Sequence, residues 1–176
     1  MIQNRIPLLG FAAFSGAGKT TLLTQLIPIL TTHQLRIGLI KHSHHNFEID
    51  QPGKDSYRLR KAGATTVLLA SKHRRAMITE IEPAQEPKLA DQLEVIDQKN
   101  LDLILVEGFK AEKFPKIEIH RPALNKPLLY PQDPNIIAVA SDQPLQLPSP
   151  LMGFDLNDPG KIADYILNQF MERKHD

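Results

Sequence analysis

The chain has 176 residues and no cysteine, with 21 Lys+Arg against 20 Asp+Glu, a formal charge of +1. This excludes disulfides, thiolate metal sites and cysteine nucleophiles, and argues against a broad nucleic-acid binder or an acidic disordered tail. At 41% hydrophobic and 23% charged residues, it reads as one soluble globular domain over residues 1–176, with no run near the ~18 apolar residues of a membrane span.

Ile6 to Ala13 is apolar without a polar face, as expected of a strand buried on both sides of a parallel sheet. It runs straight into Ser15-Gly16-Ala17-Gly18-Lys19-Thr20. A lysine there is wrong for a leader-peptide cleavage site, so a cytoplasmic protein is expected. Thr20 to Leu30 carries leucines at helical spacing, with Pro28 expected to kink or end the helix near its last turn. Leu35 to Lys41 reads as a second strand and residues 42–54 as a polar loop. Asp55 or Ser56 caps a short helix through Lys61, closed by Gly63. Thr65 to Ala70 and Ala76 to Ile81 are strand-like, and Lys88 to Lys99 is helix-like. Leu101 to Val106, Ile117 to His120 and Ile136 to Ala140 are further strands. Eight of the 14 prolines fall between Pro115 and Pro150, a loop-rich stretch. Asp158-Pro159 opens a last helix. Strands alternating with helices predict an α/β domain with a mostly parallel sheet.

The sharpest motif is Ala13-Phe14-Ser15-Gly16-Ala17-Gly18-Lys19-Thr20, a phosphate-binding loop with alanine in place of the first glycine. Gly16 and Gly18 let backbone N–H groups turn inward on phosphate oxygens, with Ser15 and Ala17 between and before them. Lys19 carries positive charge to the outer phosphates, and Thr20, followed by Thr21, offers a hydroxyl to Mg²⁺. The residue after Ala13 is Phe14, so the variant loop with a second, signature lysine at that place is absent. Leu101 to Val106 delivers Glu107 and Gly108 at a strand end. There a carboxylate holds Mg²⁺ through water or orients the attacking water, and Gly108 can approach the terminal phosphate. Asp142 just follows the strand at Ile136–Ala140. Its carboxylate suits the N1 and N2 donors of guanine, a pair that adenine lacks; Ser-Asp is also ordinary turn chemistry.

Between Lys41 and Arg75 stand eight Lys/Arg against three acids, a local +5, and four of the seven histidines. The loop leaving the strand at Lys41 lies on the ligand-binding edge of a parallel sheet. Lys41, His42, His44 and His45 are therefore candidates for an anion site beside the phosphates. Solvated surface charge is the alternative, chiefly for Arg58, Arg60 and Lys61. A zinc or nickel site on the histidines is a third reading. Asp50 takes the loop position of a switch aspartate in some GTPases and is a candidate catalytic residue with Glu107.

The P-loop, Gly38-Leu39-Ile40-Lys41-His42-Ser43-His44-His45, Gly53-Lys54-Asp55-Ser56-Tyr57-Arg58-Leu59-Arg60-Lys61-Ala62-Gly63-Ala64 and Val106-Glu107-Gly108-Phe109-Lys110 occur in that order. Together they resemble the family of molybdopterin-guanine dinucleotide biosynthesis adapter proteins, the B proteins of that pathway. The resemblance implies a doubly wound P-loop NTPase fold with flanking helices. It implies GTP with Mg²⁺, weak intrinsic hydrolysis, a homodimer and partnership with the guanylyltransferase that attaches GMP to molybdopterin, with molybdopterin as a further ligand. The P-loop roles fall on Gly16, Gly18, Lys19 and Thr20, the metal-carboxylate role on Glu107 and the base-reading role on Asp142. Two alternatives stand beside this reading. One is a small-molecule kinase using Lys72-His73-Arg74-Arg75 as a phosphate lid. The other is a binding module without turnover.

Overall fold

The computed structural model describes residues 2, 4–43 and 46–172. In chain order the elements are β1 (Leu8–Ala13), α1 (Lys19–Thr32), β2 (Ile37–Lys41), α2 (Asp55–Lys61), β3 (Thr66–Ala70), β4 (Arg75–Thr79), α3 (Leu89–Val95), β5 (Leu103–Glu107), β6 (Lys116–His120), β7 (Ile136–Ser141), β8 (Met152–Asp155) and α4 (Pro159–Tyr165). A 3₁₀ turn covers Pro122–Leu124, and a π-helical segment, Ile166–Phe170, continues α4. They form two compact units, one of residues 1–42 and 88–176 and one of residues 43–87.

The larger unit is a six-stranded parallel sheet in the order β2-β5-β1-β6-β7-β8. All six residues of β1 are buried, which accounts for a strand with no polar face. Leu9, Phe11 and Ala13 face one side, packed with Leu22, Leu26 and Leu30 of α1 and Ile162 and Ile166 from the C-terminal helix. Leu8 turns to the other face with Ile104, Val106, Leu89, Leu93 and Phe114. Burying each leucine is worth roughly 1.5–3 kcal/mol, so these two layers dominate the stabilisation of the sheet. Pro28 lies four residues before the end of α1, and the helix completes a further turn to Thr32.

The sheet carries one strand that the pattern of residues did not suggest. Met152–Asp155 is only four residues long, contains Gly153 and follows a proline-rich run. It is specified by pairing with β7, from Ala138↔Met152 to Ser141↔Asp155, rather than by its own composition. On β6 the apolar Ile117 and Ile119 enter the core, while Lys116, Glu118 and His120 alternate with them and are also buried. Glu118 accepts hydrogen bonds from the backbone N–H groups of Leu129 and Tyr130 at 2.8 and 2.9 Å. Burial pushes its carboxyl up, against those two donors. Lys116 Nζ donates to Glu112 O at 2.6 Å and to Asp133 at 2.8 Å. These buried charges pin the loop that follows β6.

At the opposite end of the strands, Arg36 and Asp102 tie the start of β2 to the start of β5. The Arg36 Nε and Nη2 groups donate to the two carboxylate oxygens at 2.9 and 2.8 Å, and its backbone N–H donates at 2.8 Å. The Arg36 side chain, then its backbone N–H, hold the Asp102 carboxyl well below the usual carboxylate range. The native chain therefore binds this proton less readily than the unfolded chain. Its stabilising contribution is complete above the ordinary carboxylate range and is lost as pH falls through the lowered value. Thermal melts from pH 5 down to about 2 should show that Asp102→Asn has a flatter acid limb than the parent, most clearly at low salt. Equal slopes would remove Asp102 from the acid response.

In the smaller unit, β3 and β4 form an antiparallel hairpin from Thr66↔Thr79 to Ala70↔Arg75, with α2 against β3. Arg60 of α2 is buried and paired with Glu48, Asp50 and Glu80. Arg58 and Lys61 on the same helix are exposed. Solvated charge thus describes Arg58 and Lys61 but not Arg60.

Candidate nucleotide-binding site

The turn between β1 and α1 is built by two glycines whose backbone ordinary residues avoid. Gly16 has φ +79° and Gly18 φ +99°. Ala13 remains a core strand residue with no positive φ, so alanine is tolerated where the motif usually has glycine. Ala17 is buried and its N–H donates to Phe14 O, closing the turn. Ser15, Gly16, Thr20 and Thr21 are exposed, and Lys19 opens α1 half-exposed. A methyl group on Gly16 would meet nothing within 4 Å, so the space beside this part of the loop is open.

β5 lies between β2 and β1, with Glu107 level with Phe11 on one side and Lys41 on the other. β5 therefore ends at the same edge of the sheet as β1, the edge from which the loop leaves. The Glu107 side chain is 13% exposed and paired with Lys41 Nζ at 3.1 Å. Gly108 has φ +102°, and a Cβ there would lie 2.6 Å from His42 Cβ, so only glycine fits. The His42 N–H donates to Glu107 O at 2.8 Å, and its ring stacks on Phe109 at 4.8 Å. Of the expected anion ligands, Lys41 neutralises Glu107 and His42 covers Phe109. His44 and His45 lie outside the described residues. Among the described residues no cluster of His, Asp and Glu is arranged to hold a metal ion.

Asp142 directly follows β7. Arg121, the first residue past β6, binds it through Nη1 to Oδ2 at 2.8 Å and donates from Nε to Ala17 O at 3.0 Å. One guanidinium thus joins the P-loop to the expected base-reading carboxylate. The other oxygen, Asp142 Oδ1, is buried without a hydrogen-bond partner. A buried acceptor left unmade costs about 1–3 kcal/mol, so it asks for a donor that no described residue supplies. Asp142 also lines a pocket of about 310 Å³, with Ser141, Gln143, Leu145, Leu147 and Phe154 among its walls. Its lining mixes apolar side chains, Phe154 among them, with the polar Ser141, Asp142, Gln143 and Asp155, a combination that can take a nucleobase. Sequence reasoning did not find Arg121; its signal is a cation immediately past a strand that neighbours β1.

The remaining expected site residue, Asp50, belongs to the smaller unit. Its side chain is 5% exposed and held by Arg60 Nη2 at 2.8 Å. Lys72-His73-Arg74 sit in the β3–β4 turn, closed by Ser71 N–H to Arg74 O at 2.9 Å, an arrangement of a tight hairpin.

The family profile described as "Molybdopterin guanine dinucleotide synthesis protein B" matches residues 8–142. The molybdopterin-guanine dinucleotide biosynthesis adapter protein of Escherichia coli K12 is 48% identical over 174 residues, 98% of each chain. The protein of the same description from Haemophilus influenzae is 46% identical over 95% of this chain and 91% of its own. Among solved structures, Bacillus subtilis MobB superposes with TM-score 0.71 over 97% of this chain and all of its own, at 21% identity. A MobB homolog from Bacillus stearothermophilus gives 0.69 over 94% and 99%, at 23%. At those identities the structures speak for the fold, a P-loop α/β sheet with flanking helices.

Proposed function

The chain belongs to the molybdopterin guanine dinucleotide synthesis protein B family, and we propose that it is a GTP-binding adapter that assists the guanylyltransferase of that pathway and hydrolyses GTP slowly. The observation that carries this is the Asp142 carboxylate, whose Oδ1 is buried and unpartnered while its Oδ2 is tied through Arg121 to the P-loop. Phosphate and guanine recognition then share one rigid link. The Thr20 hydroxyl and the Glu107 carboxylate are the residues that would hold Mg²⁺, with water and phosphate oxygens completing an all-oxygen set. Mg²⁺ would neutralise the phosphates and fix the terminal one. Slow turnover is in keeping with the Glu107 carboxylate being engaged by Lys41 Nζ at 3.1 Å, which leaves it less free to orient an attacking water.

The homodimer is proposed on a different ground. Leu68, Leu69 and Met77 of the hairpin are exposed, and both hairpin strands are edges. Molybdopterin remains a proposed second ligand, and the cytoplasm the proposed compartment.

Titration calorimetry with GTP and ATP in Mg²⁺ tests the reading, together with guanylyl transfer to molybdopterin by the purified transferase with and without this chain. GTP should bind at least about tenfold tighter than ATP, the worth of one good directional hydrogen bond. Transfer should be faster with the chain present. Equal affinities would sink the guanine reading. Phosphate appearing on molybdopterin without the transferase would make the chain a kinase.

A further inference from the structure

Phe14 stands where some phosphate-binding loops carry a second lysine, and two lysines from elsewhere converge on its ring. Lys110 Nζ lies 5.5 Å from the ring centroid and Lys126 Nζ 6.0 Å. Both reach the loop because β5 and β6 are the two neighbours of β1. Lys110 comes three residues after Glu107, and Lys126 just beyond the 3₁₀ turn that follows β6. The stretch bearing Lys126 is anchored by the Glu118 bonds to Leu129 and Tyr130. Partial desolvation of the otherwise exposed Lys110 side chain and the nearby Lys19 ammonium both push its amine down. Among the described residues, Lys19, Lys110 and Lys126 form no ion pair with a carboxylate. Like charges gathered around one loop oppose one another until an anion joins them.

We propose that Lys110, backed by Lys126 and the Phe14 ring, is a second phosphate-binding cation that acts on the terminal phosphate of a bound nucleoside triphosphate. The inference rests on the P-loop being the GTP site. Lys19 reaches the phosphates from the helix, whereas Lys110 reaches them from the strand end that also carries Glu107 and Gly108. The loop amides enclose the inner phosphates, so the strand-end cation meets the outermost one. The ammonium that Phe14 does not provide from within the loop is thereby supplied from β5.

The test is titration calorimetry of Lys110→Gln, Lys110→Arg and Lys126→Gln with the β,γ-imido analogue of GTP and with GDP. Thermal melts check that each variant folds; Lys110 is exposed, so its loss leaves the core untouched. Lys110→Gln should bind the triphosphate analogue about tenfold more weakly and GDP within about twofold, the loss of one charge-assisted contact. Lys110→Arg should recover most of the loss, and Lys126→Gln should show a smaller one with the same selectivity. Equal losses for both nucleotides, or none for either, would overturn the inference alone. Failure of the unsubstituted chain to bind the analogue would overturn the GTP reading and this inference with it.

Discussion

Replacing Lys19 by alanine should weaken GTP binding about 100-fold and leave the melting temperature nearly unchanged. Lys19 is the first residue of α1, half-exposed and directly after Gly18 of the loop. Its ammonium adds to the partial positive charge of the helix N-terminus, so both act on the same phosphates. Losing a charged contact in a partly desolvated site costs about 2–5 kcal/mol, and 1.4 kcal/mol is a tenfold change, which places the loss near two orders of magnitude. Stability should survive because the packing beneath is made by Leu22, Leu23 and Leu26, not by Lys19. Calorimetry with GTP and GDP measures the first half and thermal melts the second. GDP should also weaken, since Lys19 addresses the inner side of the phosphate chain as well; this separates it from Lys110, whose loss should be confined to the triphosphate. Unchanged GTP affinity in a folded variant would remove the P-loop from the binding site. A variant that loses GTP yet still speeds guanylyl transfer would instead make the chain a binding module that works without nucleotide.

What the residue pattern announced, and what it concealed, divides along a physical line. β1, β5 and β7 are continuous apolar runs, and the loop after β1 has glycines where the backbone needs positive φ. Those are local constraints, readable wherever they occur. The four-residue β8 is not local in this sense, because its conformation is set by β7 alongside it. Arg121 is 104 residues from Ala17 and 21 from Asp142, and nothing in its neighbourhood marks it as their link. The local charge of +5 between Lys41 and Arg75 suggested a phosphate site in that segment. Of its cations, Arg60 is paired with Glu48, Asp50 and Glu80, and Lys41 with Glu107, so these two are already engaged by carboxylates. The cations that stand around the P-loop are Lys19, Lys110, Arg121 and Lys126, drawn from two strand ends and a helix. Charge density along a chain is a poor guide to charge density around a site, because the sheet order decides which strand ends meet.

Asp142→Asn should turn the base preference from guanine toward xanthine, with GTP weakened by about 100-fold and xanthosine triphosphate strengthened. Guanine presents two donors, N1–H and the exocyclic amine, to a carboxylate whose Oδ1 is buried and unpartnered. Asparagine replaces one acceptor by an N–H₂ donor, so one guanine donor would face another in a buried place. Xanthine carries a carbonyl oxygen in place of the exocyclic amine and accepts from that amide. A site built to hydrogen-bond a group rejects the analogue lacking it by far more than it would a change of size, since its own buried polar atom is left unpaired. The second consequence runs through Arg121. Its Nη1 would lose a charged acceptor at 2.8 Å and keep only a neutral one, while its Nε bond to Ala17 O would remain. The P-loop should therefore keep its shape, and affinity for inorganic triphosphate, which has no base, should stay within about twofold of the parent because the charge-assisted phosphate contacts are unaltered. If triphosphate affinity falls together with GTP affinity, Asp142 acts by holding the loop through Arg121 and not by reading the base. Competition of GTP, ATP and xanthosine triphosphate on the parent and the variant distinguishes these roles, because only base reading can reverse the order of preference.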